Sequence, residues 1–361
     1  MTGTAGGPEP RLPAQPPLRL SIVIATHNGG GRLEPTLRHL AGQTGISSDR
    51  WEIVLVDNAS TDGTAETAKS LWQALGAPAE LRILAEPRLG VIHARTSGIL
   101  AACYDIVSFV DDDNWVCENW CATILDLMTG HKEIGAIACR SEAAFEPGQF
   151  VPEWFRALGH GYAVGPQGDR TGWVEHKLPR YPTAGFSFRR DLVSRLLERG
   201  FSTLLTGRSG AALTAGEDAE LCYALAMNGC RFWYEESLWF AHYMPPSRLT
   251  EPYAEKLYRG LGIASALEDF YLEASPEPGL AGLRMRMKRI ALMRNANVMG
   301  KILRYRIKSL YAQPGSATRS QARIEASFFQ GRLEGMRRYR QDSETIAAHV
   351  KRWTPQGKLA E

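Results

Sequence analysis

The chain has 361 residues, of which 44% are hydrophobic and 22% charged, and a formal net charge of +3. These values exclude a disordered or fibrous chain and suit one large α/β domain with an appendage. The small net charge hides an asymmetry. Residues 281–361 hold 18 Lys+Arg against 5 Asp+Glu, a net +13, while the remainder holds 24 against 34, a net −10. A basic tail behind a mildly acidic body predicts an anionic partner surface.

Six cysteines (Cys103, Cys117, Cys121, Cys139, Cys222 and Cys230) are scattered through apolar segments. Cys117 and Cys121 could share a helix face, but no second Cys/His pair at zinc spacing accompanies them. Reduced core thiols in a reducing cytosol are expected. Residues 1–17 are rich in Gly and Pro, read as disordered, and lack the apolar run of a signal peptide. No uncharged stretch reaches the about 18–20 apolar residues that span a bilayer. Leu100 to Val110 comes nearest, and Asp105 interrupts it. A cytoplasmic protein, with no membrane-spanning segment, is the expectation.

Leu18 to Ala25 has the composition of a buried strand, and Thr26-His27-Asn28-Gly29-Gly30-Gly31 is the loop at its end. A helix is predicted from Leu33 to Gln43, with Leu33, Leu37 and Leu40 on one face. Glycines ahead of a helix let backbone N–H groups approach a ligand, although the spacing is neither a Walker loop nor a dinucleotide fingerprint. Trp51 to Val56 is a second buried strand that ends in Asp57-Asn58. Ser60 or Asp62 can cap the helix carrying Ala65, Ala68, Leu71 and Leu75. A third strand, Leu81 to Ala85, is followed by a helix containing Arg95. Strand and helix alternate as in an open parallel sheet with right-handed crossovers.

Val107-Ser108-Phe109-Val110 then delivers Asp111, Asp112 and Asp113 in a row. Three adjacent carboxylates cannot be buried without compensation, so a cation is expected among them. Mg²⁺ or Mn²⁺ bridging substrate phosphates suits such a site, because these ions take one or two carboxylates plus phosphate oxygens. An acidic surface turn would show the same three residues. Against it stands the recurrence of polar groups at successive strand ends, Thr26 to Asn28, Asp57 and Asp111 to Asp113, which together would line one sheet edge.

Ser-Ile-Val-Ile-Ala-Thr-His-Asn, Val-Asp-Asn-Ala-Ser-Thr-Asp-Gly-Thr and Phe-Val-Asp-Asp-Asp-Asn, in this order, resemble the nucleotide-sugar-binding half of family 2 glycosyltransferases. The resemblance covers roughly residues 18–250. It implies a GT-A fold, a Rossmann-like and mostly parallel sheet with helices on both faces, here with a C-terminal helical extension. It divides the chain into a catalytic domain at 18–250, with a donor half at 18–115 and an acceptor half at 116–250, and a basic helical region at 251–361. By the same resemblance Asp57 reads the nucleotide base beside Asn58, and Asp111 lies near the ribose and diphosphate. Asp113 is the metal ligand, with Asp111 as a further member of the metal set, and Thr26, His27, Asn28, Arg95 and Asp112 join the donor site. Many members carry two aspartates where this chain has Asp57-Asn58, which leaves a UDP-, dTDP- or GDP-sugar open.

In the second half, Trp154, Phe155, Trp173 and Tyr181 fall in a Gly- and Pro-rich stretch and read either as sugar-stacking aromatics or as a satellite core. Ala184 to Arg190 reads as a strand with a bulge or close approach at Gly185, then a helix over Asp191 to Glu198. Glu217 and Asp218 open a helix that ends at Asn228-Gly229; acids there are common for electrostatic reasons alone. The resemblance makes this the Glu-Asp pair of inverting enzymes, with Asp218 as catalytic base. Arg231 to Tyr234 reads as the last strand, and the resemblance places His242, after it, in the metal shell. From Pro252 onward the chain reads as helical. Leu283, Met287 and Ile290 share one face, and Phe328, Phe329, Leu333 and Met336 stand among basic residues. That pattern fits either membrane-surface attachment on the inner face or packing on the catalytic domain.

The reading is therefore an inverting, metal-dependent, hexosyltransferase-like enzyme of polysaccharide, glycan or glycolipid synthesis. Its expected partners are a nucleotide sugar, a glycan, lipid-linked or small-molecule hydroxyl acceptor, and an anionic membrane surface, with no nucleic acid. A sugar-nucleotide nucleotidyltransferase and a non-catalytic sugar-binding relative are the alternatives. The first lacks its basic loop signature, since Thr26 to Arg32 offers only Arg32. Against the second stand intact Asp111, Asp113, Glu217 and Asp218.

Overall fold

The computed structural model describes residues 16–175, 179–205, 208–209, 212–213, 216–274 and 281–354, with backbone alone for 208–209, 212–213, 272–274 and 281–295. Period-two alternation builds the first strands. In β1 (Leu20–Thr26), Leu20, Ile22 and Ile24 join one core cluster while Val23 joins another on the opposite face. The next strand, β2 (Trp51–Asp57), divides the same way, with Trp51, Ile53 and Leu55 on one side and Val54 and Val56 on the other. Its buried Glu52 is compensated by Ser21 Oγ at 2.6 Å and Arg82 Nη2 at 2.7 Å.

Between these strands lies α1 (Leu33–Ala41), whose Leu33, Leu37 and Leu40 are buried as their spacing predicts. After β2 come α2 (Thr64–Ala74), β3 (Glu80–Ala85), α3 (Val91–Ala101) and β4 (Ile106–Phe109). The side chain of Asp62 accepts the Thr64 N–H at 3.1 Å, but the N-cap position of α2 is Gly63, with no side-chain cap, so neither Ser60 nor Asp62 is the cap residue. The chain continues through β5 (Asn114–Val116), α4 (Trp120–Gly130), β6 (Ile134–Ala144), α5 (Glu153–Leu158), β7 (Gly172–Trp173), β8 (Ser187–Arg189) and α6 (Arg190–Glu198). A short pair, β9 (Arg208–Ser209) and β10 (Ala212–Leu213), precedes α7 (Glu217–Met227) and β11 (Arg231–Tyr243).

The main sheet runs β3-β2-β1-β4-β8-β6-β11-β5, with β7 also on β11. Its first four strands are parallel, β8 enters antiparallel to both β4 and β6, and β6 and β11 are parallel again. Parallelism thus holds across β1 to β4 and gives way to mixed pairing beyond β4. The second half departs from expectation in one strand. Arg231 to Tyr234 is not a separate strand; β11 runs on to Tyr243 through an irregularity at Glu235 to Trp239, which puts His242 on the last strand and not after it. Gly185 has φ +73°, and a Cβ there would lie 2.6 Å from Cys139 Sγ, which accounts for the close approach read from the sequence. The six cysteines are free thiols.

Trp154 and Phe155 are 5% and 3% exposed and form a satellite core with Tyr162, Met244, Leu257, Tyr258 and Ile324. They are packing residues, which settles that choice against sugar stacking. Tyr181 is likewise buried.

The last four helices are α8 (Glu251–Ala274), α9 (Ala281–Tyr311), α10 (Ala317–Gln341) and α11 (Ser343–Trp353). Glycines let α8 and α10 touch backbone to backbone. A Cβ on Gly262 would lie 1.9 Å from the Phe328 carbonyl oxygen, and one on Gly331 2.0 Å from that of Arg259. Trp353 of α11 is fully buried against Phe201 and Tyr271. The basic region is therefore fastened to the body by α10 and α11. Leu283, Met287 and Ile290 lie outside the residues whose side chains are described. Among the described residues no helix is long and apolar enough to cross a membrane.

Candidate active site

A cavity of about 1030 Å³ opens along the edge where β1, β2 and β4 end, and its far wall is made by α8, α9 and α10. Thr26, His27, Asn58, Arg95, Asp111 to Asp113, Glu217, Asp218 and His242 all line it, whereas Asn28 and Asp57 stand outside the lining. The strand ends do converge.

Compensation for the three aspartates comes from three arginines, one to each. Asp111 Oδ1 accepts from Arg95 Nη2 at 3.0 Å. The Asp112 carboxylate takes Arg32 Nη2 at 2.7 Å and the Thr26 hydroxyl at 2.6 Å. Asp113 Oδ2 takes Arg248 Nη2 at 3.0 Å. Burial raises the pKa of the Asp112 carboxyl, helped by the Asp113 charge and opposed by Arg32 and Thr26. With its oxygens committed to Thr26 and Arg32, Asp112 braces the β1 loop. Gly29 makes that brace fit, since a Cβ there would lie 2.0 Å from Thr26 Oγ1 and 2.6 Å from Asp112 Oδ2.

Arg95 joins the two halves of the site. Its Nη1 lies 3.0 Å from Asp218 Oδ1 and 3.9 Å from Glu217 Oε1, while its Nη2 holds Asp111. Burial acts to lower the guanidinium pKa, but the charges of Asp111, Asp218 and Glu217 outweigh it and raise the value. Gly216, at φ +114°, turns the chain into α7, where a Cβ would meet Ala264 at 2.5 Å. Asp218 Oδ1 also accepts from Thr183 Oγ1 at 2.5 Å, and no hydrogen bond engages its Oδ2 among the described residues.

The residues of β2 and the β1 loop divide between lining and support. Asn58 donates to the carbonyls of Glu86 and Arg88 at 3.0 and 2.7 Å and accepts from Gly90 N–H at 2.7 Å, so its amide fixes the β3–α3 loop. Asp57 Oδ1 accepts from Ser60 N–H at 3.1 Å and stays partly exposed. His27 Nδ1 lies 2.8 Å from the Asn58 carbonyl. Asn28, at φ +48°, receives the Thr61 N–H on its Oδ1 at 2.8 Å.

For a divalent cation the donor chemistry fits. Asp113 Oδ1 and His242 Nε2 face each other at 3.5 Å, both residues are 5% exposed, and buried His242 Nδ1 has no hydrogen-bond partner. Hard oxygen and imidazole donors suit Mg²⁺ or Mn²⁺, with the remaining positions left to phosphate and water. Asp111 is turned to Arg95, and among the described residues no three His, Cys, Asp or Glu side chains gather closely enough to hold a metal by themselves.

Residues 21–197 match the model of glycosyl transferase family 2. This match spans just under half of the chain, which is similar to that family over this segment. The uncharacterized glycosyltransferase YibD of Escherichia coli (strain K12) is 27% identical over 179 residues, covering 48% of this chain and 49% of YibD. The succinoglycan biosynthesis protein ExoM of Rhizobium meliloti (strain 1021) is 24% identical over 231 residues, covering 64% of this chain and 69% of ExoM. The chain thus spans about half the length of YibD. Among solved structures, the mannosyltransferase PcManGT of Pyrobaculum calidifontis, in complex with GDP-Man and Mn²⁺, superposes with a TM-score of 0.51 at 18% identity, covering 93% of this chain and 86% of that one. At that identity the likeness concerns the fold alone, which is the GT-A glycosyltransferase fold, followed here by the helices from α8 onward.

Sequence reasoning missed Arg32 and Arg248 as partners of Asp112 and Asp113, Thr183 as partner of Asp218, and the cavity wall built by Tyr258, Tyr305 and Phe328. From the sequence Arg32 reads only as the one basic residue of the β1 loop. Nothing in the spacing of Pro245-Pro246-Ser247-Arg248 marks the arginine as a site residue.

Proposed function

We propose that the chain transfers a sugar from a nucleoside-diphosphate donor to an acceptor hydroxyl, with inversion at the anomeric carbon and help from a divalent cation. The observation that carries this reading is the meeting of Asp111 to Asp113 with Asp218 in one cavity, joined through Arg95. The family match, the Mn²⁺ and GDP-Man bound to PcManGT, and the naming of ExoM for succinoglycan biosynthesis all support it. A role in polysaccharide, glycan or glycolipid synthesis belongs to the same reading. So does a cytoplasmic place, which the free thiols suit.

In this reading residues 18–115 hold the donor, 116–250 present the acceptor, and the helices after 250 close the acceptor end. Asp57 and the β1 loop, Thr26 to Asn28, lie toward the base and ribose, with Asn58 fixing the neighbouring loop. Asp113 and His242 would hold the cation, joined by Asp111 on release from Arg95. The cation supplies Lewis-acid stabilisation of the charge that develops on the leaving diphosphate. Arg32 and Arg248 stand beside the same carboxylates, positioned to share that charge.

Asp218 takes the acceptor proton. The Thr183 and Arg95 contacts fix Oδ1, so that Oδ2 faces the acceptor. Glu217 is the second acid at this end of α7, and its charge helps to hold Arg95.

Release of nucleoside diphosphate from a panel of UDP-, dTDP- and GDP-sugars, with Mn²⁺, Mg²⁺ or chelator, tests the reading. Metal-dependent release from at least one donor is expected. Formation of a nucleotide sugar from a nucleoside triphosphate and a sugar phosphate would instead make it a nucleotidyltransferase. Sugar binding with neither reaction would make it a non-catalytic relative.

A further inference from the structure

The helix α9, Ala281–Tyr311, carries nine Lys or Arg and no Asp or Glu in 31 residues. Its second half is described in full. Val298 and Ser309 are buried against the body, and Tyr305 stacks on Phe329 of α10 at 5.7 Å between ring centres. The opposite side is bare. Met299, Leu303, Ile307 and Leu310 are 57%, 60%, 44% and 76% exposed, and Tyr311 is 89% exposed. At 3.6 residues per turn the first four fall within an arc of about 80°. Arg306 borders that arc on one side, Arg304 and Lys308 lie beyond it on the other, and none of the three forms an ion pair among the described residues.

We infer that this face of α9 docks on an anionic phospholipid surface. An apolar strip sinks to the boundary of headgroups and acyl chains, while flanking long basic side chains reach the phosphates. A second copy of the chain fits poorly, because symmetric pairing through this face would set one acid-free basic helix against another. Nucleic acid would answer the charge and leave Met299, Leu303, Ile307 and Leu310 in water. An anionic bilayer satisfies both. Docked this way the helix lies on the membrane and does not cross it. The cavity wall formed by Tyr305 then stands about one helix diameter, ~10 Å, from the headgroups. The docking face stands independently of the proposed transfer reaction.

The test uses the full chain and vesicles of phosphatidylcholine with or without phosphatidylglycerol, read by co-sedimentation. Wild-type protein should sediment with the anionic vesicles at low salt, far less at high salt, and little with phosphatidylcholine alone. A Leu303→Glu/Leu310→Glu variant and an Arg304→Gln/Arg306→Gln/Lys308→Gln variant change only exposed positions, so both should keep the wild-type circular dichroism and Tm. Each basic residue lost should weaken binding roughly fivefold, and the acidic pair should weaken it at least tenfold. Failure of wild-type protein to bind anionic vesicles at low salt overturns the inference. So does equal binding by the folded Leu303→Glu/Leu310→Glu variant, which would reduce the face to a generic polyanion-binding patch.

Discussion

Arg248 and Asp113 form an ion pair at 3.0 Å inside the cavity, and the other terminal nitrogen of Arg248 lies 3.3 Å from His242 Nε2. The arginine therefore sits between the two side chains best suited to hold a divalent cation, and cation and guanidinium compete for the same buried carboxylate. Arg248→Met removes that competitor and keeps the apolar stem. Breaking a buried pair from one side is costly, so the folded variant should lose thermal stability and recover part of it with Mn²⁺. Mn²⁺ titration of nucleotide-free protein, followed by electron paramagnetic resonance, should show roughly tenfold tighter binding than wild type. Unchanged or weaker Mn²⁺ affinity would mean that Arg248 does not guard a cation site.

Asp218→Asn preserves shape and removes the proton acceptor. Turnover should fall by ~10²–10⁴-fold while the donor dissociation constant stays within a few-fold of wild type. Full turnover at saturating acceptor would place the base elsewhere.

The same helix supplies a pH prediction away from the chemistry. Glu220 is almost completely buried, accepts from the Leu204 and Leu205 N–H groups at 3.0 and 2.8 Å and from Tyr271, and its carboxyl is pushed up to about 7 chiefly by burial. An unfolded chain holds such a carboxyl near ~4.3. The folded form thus keeps the proton at higher pH, so the contribution to stability is complete below ~4.3 and is lost as pH rises through about 7. Urea midpoints of wild type and Glu220→Gln, compared from pH 4.5 to 8, should show a downward trend in wild type that the variant lacks. Parallel curves would contradict this account of Glu220.

How far the molecule was legible follows from which interactions are local. The strands Leu20–Thr26, Trp51–Asp57 and Ile106–Phe109 showed themselves because β-branched and apolar runs ended in polar residues, and those ends do line one edge of the sheet. Gly185 was legible for a similar reason, since a glycine inside an aromatic strand signals close backbone approach. The pairing of Arg32 with Asp112 and of Arg248 with Asp113 was not, because each joins residues far apart in the chain. Trp154 and Phe155 were ambiguous because composition does not distinguish an aromatic that faces ligand from one that faces core. Glu235, Glu236 and Ser237 looked like a strand end, yet the strand passes through them with an irregularity. The α8–α10 contact was hidden in Gly262 and Gly331, whose meaning appears only once the two helices cross.

The central claim is that the carboxylates at the end of β4 bind a nucleoside diphosphate through a cation, and calorimetry tests it without knowledge of the acceptor. UDP, dTDP and GDP should each be titrated into wild type and Asp113→Asn, with Mn²⁺ and with chelator. The account predicts that at least one diphosphate binds wild type in Mn²⁺, binds much more weakly in chelator, and shows no Mn²⁺ enhancement with the folded Asp113→Asn variant. Mn²⁺-enhanced binding of equal strength in both proteins would contradict it, as would no binding of any diphosphate by folded wild type.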